Sequence, residues 1–111
     1  MLFFKKKYPH TITILPHPEV CPSGEVVPAI PGKSIVENLL EHDVEISHSC
    51  QMQCACTTCH IYLIEGERFV THMQDDENAE LNKTQDRQQW SRLACQTLFE
   101  GGGNLVVEIR N

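Results

Sequence analysis

Four cysteines fall within ten residues of this 111-residue chain, at Cys50, Cys54, Cys56 and Cys59. A lone cysteine usually behaves as a small buried apolar side chain, but four of them this close together cannot all enter one core. The residues between them are mostly small or polar, which predicts a loop over residues 47–60 rather than a helix or a strand. A loop with this many thiols is suited to surround a metal group, and this constrains the fold more than any other feature of the sequence.

Six cysteines in a chain of this length are compatible with either a disulfide framework or a metal site. Disulfide scaffolds belong to secreted proteins, whose signal peptides carry positive charge first and a longer apolar stretch second. Here the order is reversed, because the lysines at 5–7 follow a short apolar run. No stretch approaches the roughly 20 apolar residues of a transmembrane helix. We therefore expect a cytoplasmic protein without a membrane span, whose cysteines bind metal.

Two irons bridged by two sulfides need four thiolate ligands. Three can come from the loop, and the fourth must come from elsewhere in the chain, where Cys95 is available. The quartet Cys50, Cys56, Cys59 and Cys95 has the spacing C-x5-C-x2-C-x35-C. The plant-type spacing is C-x4-C-x2-C followed by a distant cysteine, so the five-residue gap indicates a different branch of iron–sulfur proteins.

Two other uses of these cysteines are weaker alternatives. A structural zinc site favours two C-x2-C pairs, and only Cys56 and Cys59 form one, with no partner pair near Cys95. A thioredoxin-like redox motif requires a strand before the C-x-x-C and a helix amino terminus at it. Here further cysteines precede the motif and a predicted strand follows it.

The rest of the chain predicts one small α+β domain. Thr11–Leu15 alternates polar and apolar residues, and with Glu25–Val27 it predicts a hairpin. Ser34 lies three residues before Glu37, which is the pattern of a capping box at the start of a helix. The expected order is β-β-α-loop-β-α-β, with one main helix packed across a mixed sheet. These elements are expected at residues 11–15, 25–27, 34–42, 61–64, 75–83 and 105–109, after a tail at residues 1–9 and within a domain at 10–111. Trp90 and Leu93 are expected to pack inward near Arg92.

The charge of the chain is acidic and unevenly distributed. The formal net charge is −6, and the segment from Glu65 to Asp86 contains seven acidic residues and only two basic ones. Nucleic-acid phosphates require lysine and arginine, so this balance argues against nucleic acid. It favours a basic protein partner that is attracted electrostatically.

Four segments of the chain resemble the ISC-type bacterial [2Fe–2S] ferredoxins, relatives of mitochondrial adrenodoxin. The resemblance extends from Ile14 to Ile109, nearly the whole chain. Its most specific part runs from His48-Ser49-Cys50 to Cys54-Ala55-Cys56-Thr57-Thr58-Cys59-His60. The other parts are Ser91-Arg92-Leu93-Ala94-Cys95-Gln96, Cys21-Pro22-Ser23-Gly24 and Leu105-Val106-Val107-Glu108-Ile109.

The resemblance implies a β-grasp fold, or ubiquitin-like roll, that holds one [2Fe–2S] cluster near the surface under the 50–59 loop. It places the four ligands on Cys50, Cys56, Cys59 and Cys95 and leaves Cys54 outside them. It also implies that His60 joins hydrogen bonds that connect the cluster region to the rest of the domain. Cys21 and Cys54 are then expected to be small buried residues, with ligand exchange by Cys54 during cluster assembly as a further hypothesis.

The family's function implies a monomeric one-electron carrier rather than an enzyme. Electrons are expected to arrive from an NADPH-dependent ferredoxin reductase and to leave for iron–sulfur cluster assembly, where a cysteine desulfurase supplies persulfide sulfur. A different acceptor, such as a haem monooxygenase, is the alternative. Partner docking is expected on an acidic helix, although the segment from Phe69 to Gln89 departs most from the family pattern. Its candidate docking residues are Asp75, Asp76, Glu77 and Glu80.

Overall fold

The computed structural model of the protein describes residues 8–44, 46, 59–84 and 86–110. Most of the predicted cysteine loop, with Cys50, Cys54 and Cys56, lies outside these ranges, as does most of the predicted amino-terminal tail. The strands in the described ranges are β1 (Thr11–Ile14), β2 (Glu25–Pro28), β3 (His60–Glu65), β4 (Ser91–Leu93) and β5 (Leu105–Ile109). The helices are α1 (Ile35–Leu40), a 3₁₀ turn (Glu67–Phe69) and α2 (Asp75–Leu81).

The five strands form one mixed sheet in the order β2-β1-β5-β3-β4. β1 and β2 pair antiparallel, which confirms the predicted hairpin, whereas β1 and β5 run parallel. β3 pairs antiparallel with both β5 and β4. β1 and β5 alternate strictly between buried and half-buried residues, so one face of each is in the core. This topology confirms the predicted mixed sheet with a helix.

The main helix begins where its capping box predicts. The Ser34 side chain accepts a hydrogen bond from the Glu37 amide at 3.0 Å, and the Glu37 carboxylate accepts one from the Ser34 amide at 2.8 Å. Two orphan amides of the first turn are satisfied in this way. Ile35, Val36 and Leu39 then enter the core at helical spacing.

The carboxyl-terminal part of the sheet differs from the prediction in two ways. β4 was not predicted, because a three-residue strand has too few positions to show alternation and is defined by its pairing with β3. The expectation that Trp90 packs inward is wrong: 45% of its surface is exposed, whereas Leu93 is fully buried as expected. Trp90 immediately precedes β4, and its carbonyl accepts a hydrogen bond from the Leu63 amide at 2.8 Å. Its backbone therefore joins the sheet while its side chain remains at the surface.

In the described part of the chain, no helix is long and apolar enough to cross a membrane.

Candidate metal centre

Two of the four predicted ligands, Cys59 and Cys95, lie in the described part of the chain, and the β3–β4 pair brings them to the same end of the sheet. His60 is opposite Leu93 in the ladder, and the Ala94 amide donates to the Cys59 carbonyl at 3.0 Å. Cys59 therefore lies one residue beyond the ladder on one strand and Cys95 two residues beyond it on the other. Both side chains are buried, with 0% and 6% of their surface exposed.

Cys95 is held in a tight turn that is anchored to the main helix. The Gln96 amide and the Thr97 hydroxyl both donate to the Leu93 carbonyl, at 2.9 and 2.8 Å. The first helical amides then donate to the same turn: Ile35 N to the Thr97 carbonyl at 2.9 Å and Val36 N to the Ala94 carbonyl at 3.2 Å. The helix amino terminus thereby fixes the backbone on both sides of Cys95.

His60, which follows Cys59, lies in the core and joins β3 to β4. Its Nε2 is 2.8 Å from the Ser91 hydroxyl oxygen, which also accepts a hydrogen bond from the Gln88 amide at 2.8 Å. Its Nδ1 is 3.7 Å from an Asp86 carboxylate oxygen. Burial lowers the pKa of His60, although Asp86 opposes this shift. A neutral ring that accepts from Ser91 at Nε2 and carries its proton on Nδ1 satisfies all of these contacts.

Glu77 is not a surface residue, so the expectation that it belongs to the docking face is wrong. Only 1% of its surface is exposed. Its carboxylate accepts two hydrogen bonds from the Arg92 guanidinium and one from the Leu93 amide. The acidic composition of this segment does not distinguish a buried acid from its exposed neighbours. Arg92, close to apolar residues just before Cys95, was a clue, because a buried cation requires an acidic partner.

The other acids of α2 have different surroundings. Asp75 and Asp76 are exposed in its first turn, where the helix dipole favours negative charge. Glu80 is half-buried and forms an ion pair with Lys83 at 2.9 Å. The acidic character of the outer surface of α2 is therefore carried mainly by Asp75 and Asp76.

Cys21 occupies a separate position, in the turn that follows β1. It is buried, as expected, and its Sγ lies 3.8 Å from the Leu15 carbonyl oxygen. Burial raises the pKa of the thiol.

Ser91 and Arg92 support the site, and neither role was predicted from the sequence. Ser91 contacts His60, and Arg92 fastens α2 to the strand that leads to Cys95. Both residues lie in Ser91–Gln96, one of the segments that resemble the family. That position was the one indication in the sequence that they support the site.

The described donors fit an iron–sulfur cluster. Two cysteines, one just before β3 and one two residues after β4, are buried at the same end of the sheet, and the Gln96 side-chain amide approaches Cys95 Sγ at 3.6 Å. Thiolates as ligands and N–H groups directed at sulfur are the features that such clusters use.

Comparison with known proteins gives concordant results. The model of the 2Fe-2S iron-sulfur cluster binding domain family matches residues 19–100. The 2Fe-2S ferredoxin of Pseudomonas aeruginosa is 41% identical over 98 residues, which cover 88% of this chain and 87% of that protein. The 2Fe-2S ferredoxin of Escherichia coli K12 is 40% identical with the same coverage.

The crystal structure of the ISC-like [2Fe–2S] ferredoxin FdxB from Pseudomonas putida superimposes with a TM-score of 0.84 at 34% identity, covering 91% of this chain and 92% of that one. The β-grasp architecture expected from the resemblance is thereby confirmed. The chain belongs to the ISC-type, adrenodoxin-like [2Fe–2S] ferredoxins, which hold one [2Fe–2S] cluster and are electron carriers rather than enzymes.

Proposed function

We propose that Cys50, Cys56, Cys59 and Cys95 hold the cluster of this ferredoxin. The burial of Cys59 and Cys95 at the same end of the β3–β4 pair supports the last two assignments, and the C-x5-C-x2-C spacing supports the first two, which lie outside the described residues. When bound, the cluster supplies one-electron chemistry between a diferric and a mixed-valence state. The protein's own contribution is to position the thiolates, bury them and direct hydrogen bonds at them.

The physiological role that we propose is electron supply to iron–sulfur cluster assembly. Sulfane sulfur on a cysteine desulfurase needs two electrons to become sulfide and leave a cysteine thiolate, so two reduced ferredoxin molecules are oxidised for each sulfide. An NADPH-dependent reductase would return one electron to each of them. The similarity to an ISC-like ferredoxin along nearly the entire chain is the observation that supports this role.

The partner-facing surface in this proposal is the exposed part of α2. Asp75 and Asp76 are its main charges, and Glu80 is partly neutralised by Lys83. Glu77 is excluded, because its carboxylate faces Arg92 in the interior. An exposed acidic pair accelerates encounter with a basic partner surface, and salt weakens that acceleration.

The test is sulfide release by a cysteine desulfurase, with the reduced ferredoxin as the only electron donor. The variant with Asp75→Asn and Asp76→Asn should need a severalfold higher ferredoxin concentration for half-maximal rate at low salt. The control variant carries Glu19→Gln and Glu25→Gln, which remove the same charge from exposed positions in and before β2, the opposite edge strand of the sheet.

Three results would bear on separate parts of the proposal. Sulfide release no faster than in the same mixture without the ferredoxin would reject the assembly role. Equal behaviour of the two double variants would reject α2 as the docking surface. Efficient reduction of a haem monooxygenase with no sulfide release would favour the alternative acceptor.

A further inference from the structure

The outer surface of the sheet carries an apolar hollow next to Trp90. Among the described residues, four large hydrophobic side chains are exposed, and two of them, Trp90 at 45% and Ile64 at 44%, line this hollow. Tyr62 and Leu63 form the rest of its apolar wall. Large aromatic side chains at the surface are enriched where proteins bind other proteins, so this placement needs an explanation beyond folding.

One aromatic ring of the hollow, that of Tyr62, already contacts a cation of the chain itself. Tyr62 and Trp90 meet edge to face, with ring centroids 6.1 Å apart and planes at 85°. The Arg110 guanidinium carbon lies 4.5 Å from the Tyr62 ring centroid. An arginine on an aromatic face is thus a contact that this surface makes internally, and Trp90 offers a second and stronger face of the same kind.

Two carboxylates stand at the rim of the same hollow, those of Glu67 and Glu108. Glu108 already contacts Arg110 Nη1 at 3.2 Å, but a carboxylate has lone pairs for further donors. Glu67 is exposed and makes no ion pair with any residue in the described ranges. The basic side chains Arg68 and Arg92 line a neighbouring hollow, which shares Leu63, Glu67 and Trp90 with this one.

We infer that the hollow between Trp90, Ile64 and Glu108 receives an arginine or lysine side chain from a protein partner. The stem of such a side chain would lie along Ile64 and the indole, and its charge would meet Glu67 and Glu108. An anionic group would meet the two carboxylates and be repelled, and a purely apolar one would desolvate them without compensation. The net charge of −6 also attracts a basic partner, in agreement with the two carboxylates at the rim.

This contact is separate from the docking surface on α2 and does not depend on which reductase or acceptor the ferredoxin serves. It lies on the β3–β5 surface, near the end of β3 that is farthest from Cys59. A partner that contacts both α2 and the hollow at Trp90 is held in one orientation, which a single contact would not fix.

Trp90 is the single tryptophan of the chain, so its indole N–H gives one resonance, which reports on binding at Trp90. The experiment titrates the oxidised, cluster-loaded protein with the capped tripeptide acetyl-Gly-Arg-Gly-amide. The matched probe replaces arginine by citrulline, which has nearly the same shape and no charge. We expect a saturable shift of the indole resonance with the arginine peptide and none with the citrulline peptide.

The variant with Glu67→Gln and Glu108→Gln should bind the arginine peptide about fivefold more weakly, which is the upper range for exposed ion pairs. The control with Glu19→Gln and Glu25→Gln should bind it like the unmodified protein. Equal shifts with both peptides, or equal weakening in both variants, would overturn the proposal. An indole shift that depends on protein concentration without peptide would assign the hollow to a second copy of the chain and overturn it as well.

Discussion

Glu77 and Arg92 form a buried, two-pronged ion pair between α2 and β4. Arg92 Nε lies 2.8 Å from Glu77 Oε2, and Arg92 Nη2 lies 3.1 Å from Oε1. Arg92 Nη1 donates to the Thr71 carbonyl at 3.0 Å, and Glu77 Oε2 also accepts from the Leu93 amide at 2.9 Å. The strand that leads to Cys95 is therefore attached to α2 by three charge-assisted hydrogen bonds, and a fourth joins it to Thr71, which precedes α2.

Glu77→Gln should lower the free energy of unfolding by about 3–5 kcal/mol, because it leaves the Arg92 charge buried without a counterion. Urea unfolding followed by far-ultraviolet circular dichroism measures this change. Asp75→Asn is the matched control in the same helical turn, and it should cost no more than about 1 kcal/mol through the helix dipole. Equal losses in the two variants would show that Glu77 acts as a surface acid.

Ser91→Ala should destabilise the protein by about 1–3 kcal/mol, because it removes the partner of both His60 Nε2 and the Gln88 amide in the interior. Since His60 follows Cys59 directly, we also expect faster loss of iron to a chelator, followed by the decay of visible absorption. Ser23→Ala, in an exposed turn, is the control and should change neither quantity. An unchanged rate of iron loss in Ser91→Ala would show that the His60–Ser91 contact does not affect how firmly the cluster is held.

Replacing any one of Cys50, Cys56, Cys59 and Cys95 by serine should abolish normal cluster loading, because four thiolates are needed for two irons and two sulfides. Cys21→Ser should retain about two irons and two sulfides per chain. Cys54→Ser tests the exchange hypothesis, since unchanged loading and activity would remove it. A colourless wild-type protein with one zinc would contradict the whole assignment.

Cys21 should resist alkylation in the native protein at neutral pH. The thiolate is the reactive form, and burial both shields Cys21 and raises the pKa of its thiol, so less thiolate is present at a given pH. Mass spectrometry of peptides after brief iodoacetamide treatment should find Cys21 unmodified, whereas the same treatment in denaturant should modify it. Rapid modification under native conditions would contradict the buried placement.

Local features of the fold could be predicted from sequence because their causes lie within a few residues. The Ser34–Glu37 capping box predicted the start of α1 correctly, alternation located β1, and β5 occupies Leu105–Ile109, the range that was expected for it. Helix α2 was expected at 75–83 and occupies Asp75–Leu81. In each case the determining interactions are hydrogen bonds or side-chain periodicities that are visible in a short window.

The features that could not be predicted depend on distant partners. β4 exists because β3 pairs with it, with Ile61 opposite Arg92, which is 31 positions away in the sequence. The burial of Glu77 depends on Arg92, 15 positions away, and no local pattern distinguishes it from Asp76. The outward position of Trp90 follows from where its strand enters the sheet, whereas hydrophobicity alone predicts burial.

The two ends of the β3–β4 pair differ in how well they tolerate inserted residues. Cys59 and Cys95 lie at one end, and residues 66–90 connect the other. A residue inserted between Cys59 and Ile61 would shift the strand register and turn alternate side chains to the opposite face. Insertions within the connecting segment leave that register intact. The connecting segment can therefore change in length without altering the register that places Cys59 and Cys95 at one end of the pair.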